Sequence, residues 1–128
     1  MLNNKVLVSS ILLLVIDLVW LKFYMTDKYK VMIQNIQNSK LKVDYVSAIL
    51  SYFTLCFALN YFVIPFVKTN DNRLITHSFM FGLVVYGVYD FTCGAIFTKW
   101  DKQLMIIDTL WGGILYMLTN YLTNIIYN

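Results

Sequence analysis

Glutamate is absent from the 128 residues, histidine and proline occur once each, and cysteine only twice. Charged residues make up 13% of the chain and hydrophobic ones 59%, against roughly a quarter charged in ordinary soluble domains. That scarcity of charge excludes a disordered chain and argues against a soluble globule. The ten Lys and Arg residues leave a net charge of only +3 and are dispersed among the connections, so no basic face is offered to a nucleic acid. Cys56 and Cys93 each stand alone in an apolar run, without the spacing of a zinc or redox site, and read as small buried hydrophobes. No Ser/His/Asp set, Cys/His pair or phosphate-cradling glycine loop can be picked out. Catalysis therefore has no positive signature, and no cofactor is implied.

What the chain has in place of charge is apolar length. A bilayer-spanning helix needs about 20 residues, and four such runs fill most of the sequence, leaving short connections and no room for a separate soluble domain. The aromatic share of 17% suits a bilayer protein, with ten Tyr and nine Phe near headgroups or in helix contacts. Spacing predicts helices over about 6–25, 43–67, 74–98 and 103–127. The first resembles a signal peptide in length, but it carries Asp17, continues into Trp20, Phe23 and Tyr24, and lacks a small-x-small cleavage site. Residues 28–39, with Tyr29, Met32, Ile33 and Ile36 at helical spacing, are predicted either as an interfacial amphipathic helix or as an overshoot of helix 1. KTNDNR at 68–73 and KWDK at 99–102 read as tight turns, and Pro65 falls near a helix end, where it costs least. The expected architecture is an all-α, single-domain membrane four-helix bundle with antiparallel neighbours.

Lys5, Lys68 and Arg73 fall on the side of the termini; Lys22, Lys28, Lys30, Lys40, Lys42, Lys99 and Lys102 fall on the other. The positive-inside rule then places both termini away from the cytoplasm.

Three of the seven acids, Asp17, Asp90 and Asp108, sit inside apolar runs. An aspartate at the centre of a spanning helix costs roughly 2.5 to 3.5 kcal/mol on insertion scales, and its short stem cannot snorkel. With alternating helix directions and a rise of about 1.5 Å per residue, Asp17 lies roughly 8 Å inside Lys22, Asp108 roughly 9 Å inside Lys102 and Asp90 roughly 13 Å inside Lys99. All three share the half of the membrane facing the Lys-rich side. His77 belongs to the opposite end, near Arg73, and reads as an interfacial residue.

Polar or small stripes suggest which faces turn inward. Ser10, Asp17 and Tyr24 recur at seven; Gly82, Tyr86, Asp90 and Gly94 at four; Asp108, Gly112, Tyr116 and Thr119 at fours and threes. On helix 2 the matching stripe is Asp44, Ser47, Ser51, Thr54 and Ala58. Small residues also mark close helix packing in lipid, so each stripe has a structural reading as well.

Three carboxylates converging in low dielectric cannot all stay ionised without a cation, because desolvation and like charge both favour the protonated form. Either some are protonated and share hydrogen bonds, or a cation occupies the site. Oxygen ligands suit a hard metal, and Trp20, Tyr86, Tyr89 and Trp111 offer π faces to an organic cation. Which metal, if any, is left open.

IDLVWL at 16–21, Phe23 and Tyr24, FGLVVYGVYDFT at 81–92 and IDTLWGG at 107–113 together resemble the domain of unknown function 2177 family of small membrane proteins, over all four helices. The family name carries no activity. Its pattern has a glycine and an asparagine where this chain has Lys22 and Cys93. A thiol in place of an amide weakens a hard-metal role here. The resemblance also implies a context near lipid modification.

The expectation is thus a protein that binds or moves a cation or proton at Asp17, Asp90 and Asp108, lined by Trp20, Tyr24, Tyr86, Tyr89, Thr92 and Trp111. Its partners would be membrane lipid, the ion, and further copies of itself, since one small bundle has a narrow interior. The alternatives are a structural or accessory membrane protein whose aspartates lock helices together, and an intramembrane enzyme acting on lipid.

Overall fold

A computed structural model describes residues 3–66 and 73–127. They form four long helices and no strands: α1 (Asn4–Gln37), α2 (Tyr45–Phe66), α3 (Arg73–Ile96) and α4 (Lys102–Tyr127). The predicted turn at 68–73 lies outside the described residues except for Arg73, as does Val67.

Local chemistry sets the helix ends. The side chain of Asn3 accepts from the Val6 amide at 2.9 Å and caps α1, while Asn38, in the left-handed conformation at φ 57°, ends it. Asp44 caps α2, accepting from the Val46 amide at 3.2 Å. Asp101 caps α4, accepting from the amides of Gln103 and Leu104. Short polar side chains satisfy the first free amides in each case.

α1 is one continuous helix of 34 residues, where the sequence left open a separate interfacial segment over 28–39. A π-helical turn at Leu21–Met25 joins the two halves and re-phases the helix, so that Ser9, Leu13 and Asp17 face inward before it, Met25 at its end and Met32 after it. A second π turn, Leu59–Val63, serves α2 in the same way, burying Leu59 and Val63.

Three helices, α1, α2 and α3, are long and apolar enough to cross a membrane. The fourth, of 26 residues, is long enough, but its inner face is polar: Asp108, Thr109, Thr119, Asn120, Thr123 and Asn124 are all buried. It is the spine that the others shield. α3 packs along it, closest at Gly82, where a Cβ would run into the backbone of Gly112 and lie 2.9 Å from the Cα of Gly113. A Cβ on Gly112 would in turn overlap the Tyr86 ring. The glycines let two backbones meet and leave room for that ring between them.

The core has two parts. Leu13, Leu59, Val63, Leu115 and Tyr116 fill the middle of the bundle; Met25, Met32, Trp100 and Leu104 fill the end next to the α3–α4 turn. The outer faces carry exposed Val46, Ile49, Phe53, Phe57, Val84 and Val88, the apolar surface that lipid would cover.

The helix-2 stripe is a correction. Asp44, Ser47, Ser51 and Thr54 are exposed, and of the stripe only Ala58 packs on the core, on an inner face with Tyr52, Leu55, Cys56, Leu59 and Val63. Outward hydroxyls are tolerated because they find partners on their own helix. Thr54 donates to the Leu50 carbonyl at 2.8 Å and Ser47 to the Asp44 carboxylate at 2.7 Å.

Candidate functional site: a divided trio of buried acids

Asp17, Asp90 and Asp108 are 5%, 1% and 5% exposed, so all three face the interior of the bundle. Their positions follow from helix rise. Asp90 is six residues before the end of α3 at Ile96, and Asp108 six after the start of α4 at Lys102, each about 9 Å from its helix end. The estimate of a deeper Asp90 came from counting to Lys99, which lies in the turn rather than on the helix.

The trio divides into one and two. Asp17 is held by a pair of donors from different helices. The Tyr52 hydroxyl of α2 donates to its Oδ2 at 2.6 Å and the Trp111 indole of α4 donates to its Oδ1 at 2.9 Å. Each carboxylate oxygen thus has a partner, and α1, α2 and α4 are tied at one point.

Asp90 and Asp108 face each other across the α3–α4 seam, within hydrogen-bonding reach. Neither oxygen of Asp90 receives an N–H or O–H donor from the described residues. The Tyr29 hydroxyl of α1 approaches the Asp108 carboxyl. Tyr86, against Gly112, lies in electrostatic range of both Asp17 and Asp108 and so stands between the two parts. Two facing carboxylates in a desolvated seam repel unless a proton or a cation sits between them, and a shared proton turns the repulsion into a hydrogen bond. Among the described residues no three acid, cysteine or histidine side chains converge as metal ligands.

The predicted aromatic lining is mixed. Trp20 and Trp111 stack with centroids 4.6 Å apart and planes 8° apart, and Tyr24 also stacks on Trp20 at 4.6 Å. Tyr24 is at the rim, with Lys28 over its ring at 4.9 Å. Tyr89 is 52% exposed and meets Trp100 edge-on at 6.1 Å. Thr92 is a further correction: it is exposed and lies on an outer apolar groove with Leu83, Val84, Val88 and Ala95, because α3 turns its Gly82–Asp90 face, and not its Val88–Thr92 face, toward α4. Cys93 packs at the edge of the Trp100 cluster, beside Tyr89 and Asp90. His77 is exposed near the start of α3.

Sequence reasoning missed the partners. Tyr52 and Tyr29 had no acid at helical spacing to announce them. A second polar group was also missed. In it the Asn120 amide donates to the Ser78 hydroxyl at 2.8 Å, and Asn124 donates to both the carbonyl and the side-chain oxygen of Asn120. The Ser9 hydroxyl donates to Asn60 at 2.9 Å, linking α1 to α2. The asparagines of helix 4 at 120 and 124, four apart in an apolar run, were the available signal.

A family model described as "Predicted membrane protein (DUF2177)" matches residues 4–125. No curated protein and no solved structure matches the chain.

Proposed function

Because the chain belongs to the DUF2177 family of predicted membrane proteins, its buried acids are those of a membrane protein, and we propose that it binds and moves a proton, or a cation in its place, at Asp90 and Asp108. Asp17 is the third acid of the site. Its two fixed donors, Tyr52 and Trp111, make it the anchor that ties α1, α2 and α4 together, while the pair itself exchanges the ion.

The observation that carries this reading is the state of Asp90. Its oxygens are buried and face another acid with no other donor among the described residues. Purely structural aspartates are expected to be satisfied as Asp17 is. Lys99 donates to the Asn35 carbonyl, so the extension of α1 and the α3–α4 turn lie together at the Lys-rich end. That grouping supports an orientation with this end cytoplasmic and both termini outside. A second copy of the chain completes the path in this proposal, and the outward Ser47, Ser51 and Thr54 of α2 offer it a face of small residues.

The test is ion flux in liposomes containing the purified protein. Asp90→Asn and Asp108→Asn keep shape and most hydrogen bonding but remove a titratable group. Flux in the parent that either substitution abolishes, with folding intact, supports the proposal. Absence of flux in the parent favours the second reading, a structural or accessory protein whose acids lock helices, for which the doubly held Asp17 is the favouring observation.

A further inference from the structure

At about 1.5 Å per residue the 34 residues of α1 reach roughly 50 Å, well beyond a hydrocarbon core of about 30 Å. The half of α1 after its π turn therefore stands at headgroup level. There it borders the α3–α4 turn along a groove of about 500 Å³.

The groove carries two charges of each sign, Lys28 and Lys99, and Asp27 and Asp101, with Leu104 and Ile107 as apolar wall. None of the four is ion-paired among the described residues. Lys28 rests over the Tyr24 ring at 4.9 Å. Lys99 uses one of its three donors on the Asn35 carbonyl at 3.2 Å. The Oδ1 of Asp101 is occupied by the amides of Gln103 and Leu104, which leaves its other oxygen for an external donor. Ammonium and carboxylate groups held apart in one groove match a ligand that is itself zwitterionic. A simple anion would meet the two carboxylates, and a simple cation the two ammoniums.

We propose that this groove binds the headgroup of a phospholipid bearing a primary amine, of the phosphoethanolamine type. The phosphate lies between Lys28 and Lys99, the ammonium donates to Asp27 and Asp101, and the acyl chains leave along Leu104 and Ile107. A primary ammonium is required because a quaternary one has no N–H to donate. The site stands apart from the Asp90–Asp108 pair, and nothing in it depends on ion movement.

The experiment is native mass spectrometry of the full chain, stripped of lipid in detergent and exposed to phosphatidylethanolamine, phosphatidylcholine and phosphatidylglycerol with the same acyl chains. Phosphatidylethanolamine is expected to be retained about tenfold better than either, the ratio that one charge-assisted hydrogen bond supplies. The double variant Lys28→Gln with Lys99→Gln is expected to lose that preference, whereas Lys30→Gln with Lys42→Gln, outside the groove, keeps it. Asp27→Asn with Asp101→Asn, which preserves the helix cap, is expected to shift retention toward phosphatidylglycerol. Circular dichroism checks that each variant is folded. Equal retention of the three lipids by the parent, a preference for phosphatidylglycerol, or a preference that survives loss of Lys28 and Lys99 overturns the proposal. So does a preference lost equally with Lys30 and Lys42.

Discussion

Trp111 donates its indole N–H to Asp17 at 2.9 Å, joining the last helix to the first across 94 residues of sequence. The same indole lies flat on Trp20, one turn along from Asp17 on α1. A buried carboxylate is tolerable when its oxygens are donated to, and Tyr52 completes the set. The bond thus makes an expensive residue into a fastening, and with the Trp20 stack it fixes the orientation of the Trp111 ring.

Trp111→Phe keeps the stack but removes the donor. It is expected to lower stability by about 1 to 3 kcal/mol, the cost of leaving a buried acceptor unsatisfied. Thermal unfolding in detergent reads this. In a double-mutant cycle with Asp17→Asn, the two changes should be non-additive. Additive losses would mean that the bond contributes nothing to the fold.

Gly82→Ala is expected to be among the most damaging single substitutions. Its methyl group would enter the backbone of Gly112, so α3 must move away from α4 and carry Asp90 from Asp108. Overpacking costs typically about 1 to 3 kcal/mol and sometimes more. The variant should unfold at lower temperature and lose ion flux together. Gly87→Ala, where a Cβ meets only side-chain atoms at 3.3 Å or more, should be far milder.

Asn120→Leu removes the bonds to Ser78 and Asn124 at the end of α4 away from the acids. A loss on the order of 0.6 to 2 kcal/mol is expected, with Asp90 and Asp108 unaffected. Comparing unfolding with flux separates the two polar groups.

Asp44 supplies a pH dependence outside the spans. Its bond from Ser47, aided by the Val46 and Ser47 amides, holds its carboxyl below the ordinary 3.8. A depressed carboxylate stabilises the folded state above its unfolded value, and that contribution is lost as pH falls below 3.8 through the lower folded value. Amide exchange in the first turn of α2 should therefore quicken on acidification in this window. Asp44→Asn, which still caps but does not titrate, should show no such step.

Much of this was legible in the sequence. Apolar run length pointed to the four helices, and the three acids inside apolar runs pointed to Asp17, Asp90 and Asp108 as buried, whereas helix rise counted to Lys99 set Asp90 deeper than the other two. Lateral placement was not legible, because it depends on the π turns at Leu21–Met25 and Leu59–Val63 and on the meeting of Gly82 with Gly112. Neither a hydroxyl stripe nor a single threonine reports its direction. Ser47 and Thr54 satisfy themselves on α2 and so stand outward at little cost; Thr92 on α3 stands outward as well. The division of the acids into a fastened Asp17 and a facing pair rests on Tyr52 and Trp111, whose hydrogen bonds span 35 and 94 residues.

Infrared spectroscopy of the full chain in lipid at neutral pH tests the central claim most directly, because a protonated carboxyl has its own carbonyl band. A band from a buried, protonated carboxyl is expected in the parent, altered by Asp90→Asn and by Asp108→Asn. A parent without that band, or a band that neither substitution in the pair disturbs, would contradict a proton held between Asp90 and Asp108.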